Sequence, residues 1–494
     1  MLSRRNALKA GVTTGLVGGA GLLVPYLPHA AADTSGGADA GAPGPTATGT
    51  APPAVIPQFA VPLTVPPVLA PTSTSATTDY YTVTMQKAYA SIVPETKTEV
   101  YTYNGSFPGP TIKARFQRRV VVKQINNLGT PVSVHLHGGN VPQDSDGSPM
   151  NLIAPGGAKN YTYPNDQDNA TLWIHDHAHH MESENVYRGL TSLYLLSDDL
   201  ERSLPLPGGE YDVPLILRDG RFDANGQLVY ELDDHLLRNT ILVNGRPWPY
   251  FQVAARKYRF RILNGSNSRI FSLALSDNTS FVQIGSDGGL LEKPHTTAGL
   301  MLSPGERADV VIDFSGYPIG TRLVLTNPGM PGPPETGQVL RFDVTRTAPD
   351  PSEVPDQLGE LAAPQVATVN RTFVLRMDED GRPDAAAYIN DRTYDANRID
   401  TKIAWGTTEV WTVSNANQYA PHNFHLHQVQ FRVLERNGKA PDPSEGGLKD
   451  TVRLFPGEIV KLLITFDSYE GVYPYHCHLF DHGAMGMMGN MQIS

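Results

Sequence analysis

The 494-residue chain has a single cysteine, Cys477, so no intramolecular disulfide framework can hold it together. Excess positive charge is also missing. Fifty acids against 39 bases leave a formal net charge of −11, which removes the basic footprint of a nucleic-acid binder. Long stretches with helical periodicity are scarce. Charged residues at 18% and apolar residues at 40% exclude wholesale disorder. The lone thiol is left with three roles to choose from: inert, reactive, or a metal ligand.

Turn formers are plentiful, with 46 Gly and 41 Pro. Short β-type runs recur between them: Val120-Val121-Val122, Val132-Ser133-Val134, Leu193-Tyr194-Leu195-Leu196, Val310-Val311-Ile312 and the run 459–465. The turn dipeptides Asn104-Gly105, Asp146-Gly147, Asn264-Gly265, Asp287-Gly288 and Asn437-Gly438 separate such runs. This pattern predicts an all-β protein of sandwiches or barrels. The length suits about three domains, expected at 80–198, 199–348 and 349–494. Residues 348–366, rich in Pro, Asp and Glu, read as the linker into the last.

Ahead of these lies Ser3-Arg4-Arg5-Asn6-Ala7-Leu8-Lys9, then a mildly apolar run and small residues at Ala30, Ala31 and Ala32. Residues 1–32 resemble a bacterial twin-arginine export signal, which implies a secreted or cell-surface protein exported already folded. A membrane anchor is the other reading, disfavoured because the run is short and rich in Gly and Thr. Residues 33–79 are dominated by Ala, Gly, Pro, Ser and Thr, and predict a disordered linker. Within it, 56–68 is the stretch suited to lie along a surface.

Function is concentrated in the histidines. With 15 His in the chain, chance supplies fewer than one His-x-His pair. The sequence contains His135-Leu136-His137, His175-Asp176-His177, His425-Leu426-His427 and His476-Cys477-His478, with His177-Ala178-His179 overlapping the second. On a strand, residues i and i+2 face the same way, so each pair turns two imidazoles to one side. Imidazole alone does not select among Cu, Zn, Fe and Ni. The C-terminal run adds Cys477, His482 and Met487, and His422 stands three residues before His425. Two His, one Cys and a Met make the donor set of a blue-copper electron-transfer site. Cys477, between His476 and His478, faces away from both imidazoles, so one side can serve that site while the other serves a cluster.

At these residues the sequence resembles the three-domain bacterial multicopper oxidases, in the branch of the spore-coat laccases and bilirubin oxidases. The resemblance spans roughly 80–494. It extends to Val134-His135-Leu136-His137-Gly138-Gly139, Asp144-Ser145-Asp146-Gly147, Ile241-Leu242-Val243-Asn244-Gly245, Arg256-Lys257-Tyr258-Arg259-Phe260-Arg261, Ile284-Gly285-Ser286-Asp287-Gly288-Gly289, Pro443-Ser444-Glu445 and Lys449-Asp450-Thr451. It implies three cupredoxin-like Greek-key β-sandwich or barrel domains, the middle one bracing the outer two. It also implies four copper ions. His422, Cys477 and His482 with axial Met487 match the type 1 ligands, and His135 and His425 match type 2. His137, His175, His177, His427, His476 and His478 match the type 3 pair.

The implied reaction takes single electrons from phenols, aryl amines or bilirubin-like molecules and reduces O2 to water. A metal oxidase acting on Cu(I) or Mn(II) is the second reading. A copper-free cell-envelope scaffold is a third, and it would expect missing ligands where none is missing. Neither nucleic acid nor, after signal removal, a membrane is an expected partner. Asp146 matches an acid near the type 2 copper, though an Asp-Gly turn accounts for it equally. Asp450 resembles an acid near the type 1 histidines. After His482 many relatives carry Glu-Asp, the Glu assisting proton delivery, and this chain has Gly483-Ala484. The relay is then expected through Asp481 or Asp146, or turnover is slower, and a Glu placed at 483 or 484 is expected to raise it. His29, His179, His180, His235 and His295 remain outside the ligand set, His235 and His295 reading as ordinary surface residues, and Met485 and Met488 read as packing residues.

Overall fold

The computed structural model describes residues 55–380, 382 and 385–494. The expected export signal and residues 33–54 lie outside the described residues. From Val55 onward the linker expectation is corrected. Backbone N–H groups of Phe59, Leu63 and Leu69 donate to the carbonyls of Trp248, Tyr250 and Thr111, each at 2.8 Å. Ile56, Phe59 and Leu63 pack on the core formed by 213–344. Three apolar anchors in eight residues offset the cost of ordering this stretch, and its prolines lower that cost.

Six sheets fall into three successive pairs along the described chain. Four- and five-stranded sheets lie within 73–197, seven- and five-stranded sheets within 212–346, and two five-stranded sheets within 369–493. In each region an early strand pairs in parallel with a later one: Thr78–Ala90 with Arg119–Asn126, Asp212–Gly220 with Lys257–Asn264, and Val369–Met377 with Thr407–Asn415. Alternation sets the faces. In Thr78–Ala90 the side chains of Tyr81, Val83 and Met85 are buried while Thr82 and Thr84 are only partly so. In the last region Trp411, Phe373, Phe424 and Tyr475 form an aromatic core, with Phe373 and Trp411 centroids 4.4 Å apart.

The histidine strands occupy corresponding places in the first and last regions. Val134–His137 pairs with Ala170–Asp176, setting His135 opposite His175. His422–Leu426 pairs with Gly471–His476, setting His425 opposite His476. The middle region's sheet contains Phe271–Leu275 and Leu300–Leu302, without histidine.

A short helix follows each outer histidine hairpin, Glu182–Arg188 in the first region and Phe480–Ala484 in the last. The Ser183 hydroxyl donates to Asp481 at 2.5 Å and so ties them. Between the second and third regions, residues 348–366 form no strand, yet they are held. Glu353 N–H donates to Pro205 O and Leu358 N–H to Glu292 O, and the Leu358 side chain is buried against Ile284, Leu290 and Leu291.

Candidate metal centres

Eight buried imidazoles meet where the first and last regions face each other. His135 stacks on His427 and His137 on His425, both with centroids 3.8 Å apart. Most have one ring nitrogen fixed by a protein acceptor. The Nδ1–H groups of His135, His175, His425 and His476 donate to the carbonyls of Asp146, Asp176, Asp450 and Cys477 at 2.6, 2.8, 2.8 and 3.0 Å. His427 Nδ1 lies 3.0 Å from the Asp146 carboxylate, and His137 Nε2 lies 2.8 Å from that of Asp450. Fixing one nitrogen turns the other inward as a lone-pair donor.

The inward nitrogens fit metal. His177, His427 and His476 bring their Nε2 atoms within 3.1–3.2 Å of one another. Lone pairs that close repel unless a cation lies among them. The Nε2 atoms of His135, His175 and His425, Nδ1 of His137, and both nitrogens of His478 are buried without a hydrogen-bond partner. Unpartnered buried nitrogens in this number are costly unless a ligand is intended. Burial, reinforced by repulsion from neighbouring imidazoles, holds His177 and His427 well below the ordinary histidine value. Burial likewise takes His476 down to about 4. Neutral imidazoles are the form that binds metal.

The second centre is smaller. His422 Nδ1 and His482 Nδ1 lie 3.0 Å apart, with Cys477 Sγ at 3.9 and 3.8 Å from them. Asn417 Oδ1 accepts from His422 Nε2 at 2.8 Å and orients that ring. Met487 is buried in the same core, and its backbone is tied to both partners: Cys477 N–H donates to Met487 O, and Met487 N–H to His482 O. Burial pushes the Cys477 thiol up to about 12, so a thiolate there requires a metal. Two His and one Cys, with Met487 tied beside them through its backbone, therefore match the donor set of a mononuclear copper site.

Two tight turns close the larger centre. Asp146 ends the helical turn Gln143–Asp146, and Gly147 follows at φ +74°, where a Cβ would lie 1.9 Å from Val134 O. Only glycine lets this turn press on the strand of His135. From the middle region, Gly305 at φ +86° approaches so closely that a Cβ would stand 3.0 Å from the His478 ring and 3.1 Å from His137.

Residues 84–200 and 364–494 match two family models, both described as multicopper oxidase. The laccase of Bacillus subtilis is 36% identical, covering 88% of this chain and 98% of its own. The chain belongs to the multicopper oxidase family. The bilirubin oxidase of Albifimbria verrucaria is 38% identical over 87% of this chain and 80% of its own. Among solved structures, a laccase from Pediococcus acidilactici superposes with a TM-score of 0.82 at 33% identity, covering 89% and 95% of the two chains. Multicopper oxidases carry four coppers, one type 1, one type 2 and two type 3, and use oxygen as acceptor. The fold is that of cupredoxin domains.

Among the acids singled out in the sequence, Asp146 stands beside His427 and His135, where burial pushes its carboxyl up to about 8. Asp450 is not beside the type 1 histidines. Its carboxylate meets His137 and takes Arg307 Nη1 and Nη2 at 2.7 and 2.6 Å. The antiparallel register is the reason, since Thr451 faces His425 whereas His422 faces Leu454 at the far end. Asp481 is no free relay either. Ser183, Ser268 and Arg238 engage its carboxylate at 2.5, 2.9 and 3.0 Å.

His179 and His180 lie with ring centroids 3.7 Å apart, tilted against each other, outside both centres. His295 is partly exposed on the strand Gly289–Thr297. His235, expected to be an ordinary surface residue, pairs with Asp233 at 3.0 Å, and both act electrostatically on His482. Sequence reasoning also missed Arg307, Gly305 and Glu182. Pro304-Gly305 is a turn dipeptide, but a turn signal does not say what the turn approaches.

Proposed function

We propose that this oxidase takes single electrons from electron-rich organic molecules, namely phenols, aryl amines or bilirubin-like tetrapyrroles, at the edge of His482. The observation that carries this is the segment 231–238. Arg238 pairs with Asp481 next to His482, Asp233 and His235 act on the His482 ring, and Leu232, Leu236 and Leu237 are exposed at 49%, 38% and 53%. The acids of this segment are paired, Glu231 and Asp234 with Arg221 and Arg238 and Asp233 with His235, so the three solvent-facing leucines suit an aromatic donor better than a hydrated cation. Among the described residues, the groupings of three or more close His, Cys, Asp or Glu side chains all fall within the two buried centres, which supports an organic donor over Cu(I) or Mn(II). The relatives named laccase and bilirubin oxidase support the same donor class.

His422, Cys477 and His482, with Met487, would hold the type 1 copper. His135 and His425 would hold type 2, and the two triads His177, His427, His476 and His137, His175, His478 the type 3 pair. When bound, copper supplies the redox chemistry that carries four electrons from donors to O2. The protein's own part is placement. His482 is the outermost ligand at 4% exposure. The Cys477 backbone runs directly into His476 and His478, and its carbonyl accepts from His476 Nδ1 at 3.0 Å. Asp146, fixed against His427, is placed to hold a proton at its carboxylate beside the larger centre.

Export in folded form through the twin-arginine route is part of the same proposal, a route that carries folded proteins and so suits a chain that closes around buried metal centres. A fusion of residues 1–32 to a reporter should be exported, and Arg4→Lys/Arg5→Lys should block it.

Oxygen uptake by copper-loaded protein with 2,6-dimethoxyphenol, bilirubin, Cu(I) and Mn(II) tests the donor class. Uptake with the organic donors, lowered in kcat/KM by Leu236→Asp while the blue band persists, is expected. Uptake with Cu(I) or Mn(II) alone would overturn the organic-donor reading.

A further inference from the structure

Reduction of O2 to two waters consumes four protons as well as four electrons, and the larger centre is buried. Most acids near it are committed. Asp450 is locked on Arg307, Asp481 on Arg238 and two serines, and Asp176 accepts from Ser133 N–H, Asn185 and Ala178 N–H. One is not. Glu182 is 2% exposed, and no side chain partners either carboxylate oxygen, only backbone N–H groups at the start of its own helix lying near. An unpartnered buried carboxyl costs stability and needs a reason to be there.

Its position supplies one. Glu182 opens the helix that follows the His175–His177 hairpin, and its N–H donates to Ala178 O at 2.9 Å. Its carboxyl points across to the C-terminal helix. A Cβ built on Gly483 would meet only Cys477 O at 3.4 Å and Glu182 Oε1 at 3.9 Å. An acid extending from position 483 would therefore place its carboxyl where that of Glu182 already lies.

We propose that Glu182 is the proton-donating acid of oxygen reduction in this chain, entering from the first region into the space that Gly483 leaves open. In each transfer the carboxyl O–H bond breaks as an O–H bond forms on the oxygen being reduced. The carboxylate is then reprotonated from solvent. Between Glu182 and the surface lie Tyr394, within electrostatic reach of Glu182, His179, whose ring centroid is 4.7 Å from that of Tyr394, and exposed His180, 3.7 Å from His179, groups that bridging water would link into a path for protons. Burial, with a smaller push from Asp176, raises the Glu182 carboxyl to about 8, so it holds a proton near neutrality.

The proposal revises the expectation for Gly483→Glu. A second carboxyl crowded onto Glu182 should lower turnover, not raise it.

The test uses full-length protein, with and without copper, and does not depend on the organic donor. Copper-loaded enzyme is reduced with dithionite and mixed with O2. Glu182→Gln should keep its copper and blue band, reoxidise about a hundred-fold more slowly, and show a larger solvent deuterium isotope effect. Glu182→Asp should recover part of the rate. In copper-free protein, Gly483→Glu should lower the melting temperature markedly in the wild-type background and far less in Glu182→Ala, and that double variant should regain reoxidation rate when loaded. Unchanged reoxidation in Glu182→Gln, loss of its copper, or equal melting shifts for Gly483→Glu in both backgrounds would each overturn the proposal. A failure of the organic-donor reading would leave all of these readouts intact.

Discussion

His476 Nδ1 donates to the carbonyl oxygen of Cys477, its own neighbour, at 3.0 Å. The thiol of Cys477 lies between His422 and His482, while His476 closes the triad with His177 and His427. One dipeptide thus belongs to both centres, and the hydrogen bond adds a second short path beside the covalent one. With copper held at the two centres, electron entry and oxygen reduction would be joined through that dipeptide.

Gly305 should be intolerant of even one methyl group. Its φ of +86° strains any other residue, and a Cβ would stand 3.0 Å from His478 and 3.1 Å from His137. Gly305→Ala is expected to cost about 1–3 kcal/mol and to reduce copper bound at the larger centre. Denaturant unfolding together with metal analysis checks both, and full copper content would show that the middle region does not press on the cluster.

Asp450→Asn should be strongly destabilising even without copper. Arg307 is fully buried, and Asp450 takes both of its terminal nitrogens. Removing one partner of a buried pair costs about 3–5 kcal/mol. Urea unfolding of the copper-free variant measures it, and a loss below about 1 kcal/mol would mean that Asp287 alone suffices for Arg307.

Acid sensitivity should have a contribution from Glu445. Burial pushes its carboxyl up, but Arg453, the Arg436 hydrogen bonds and Lys449 outweigh that and bring it down to about 2. A depressed carboxyl stabilises the fold fully above its unfolded value and loses that contribution as pH falls toward about 2. The shift corresponds to about 3 kcal/mol at most. The stability gap between wild type and Glu445→Gln should therefore close as pH drops from 6 toward 3, read from urea midpoints. A gap independent of pH would contradict this.

How much of this was legible in the sequence depends on range. His-x-His spacing is local, and strand alternation turns it directly into paired imidazoles, so the eight histidines that meet in the larger centre could be picked out beforehand, whereas His422, Cys477 and His482 were read from the C-terminal run and the family resemblance. Turn dipeptides marked the ends of strands for the same reason. Asp450 was misplaced because its neighbour is set by antiparallel register, which the spacing from Lys449 to Thr451 does not encode. Glu182 was invisible because its significance is an absence at Gly483, three hundred residues away, that only packing of the two helices reveals. The stretch after Val55 looked disordered because composition averages over the three apolar side chains that pin it.

Copper content and the visible spectrum of the loaded protein, compared between wild type and Cys477→Ser, test the central claim most directly. Four coppers per chain and an intense blue thiolate band, with the variant losing the band and one copper, are expected. A colourless wild type that stays copper-poor after anaerobic Cu(I) loading would contradict it.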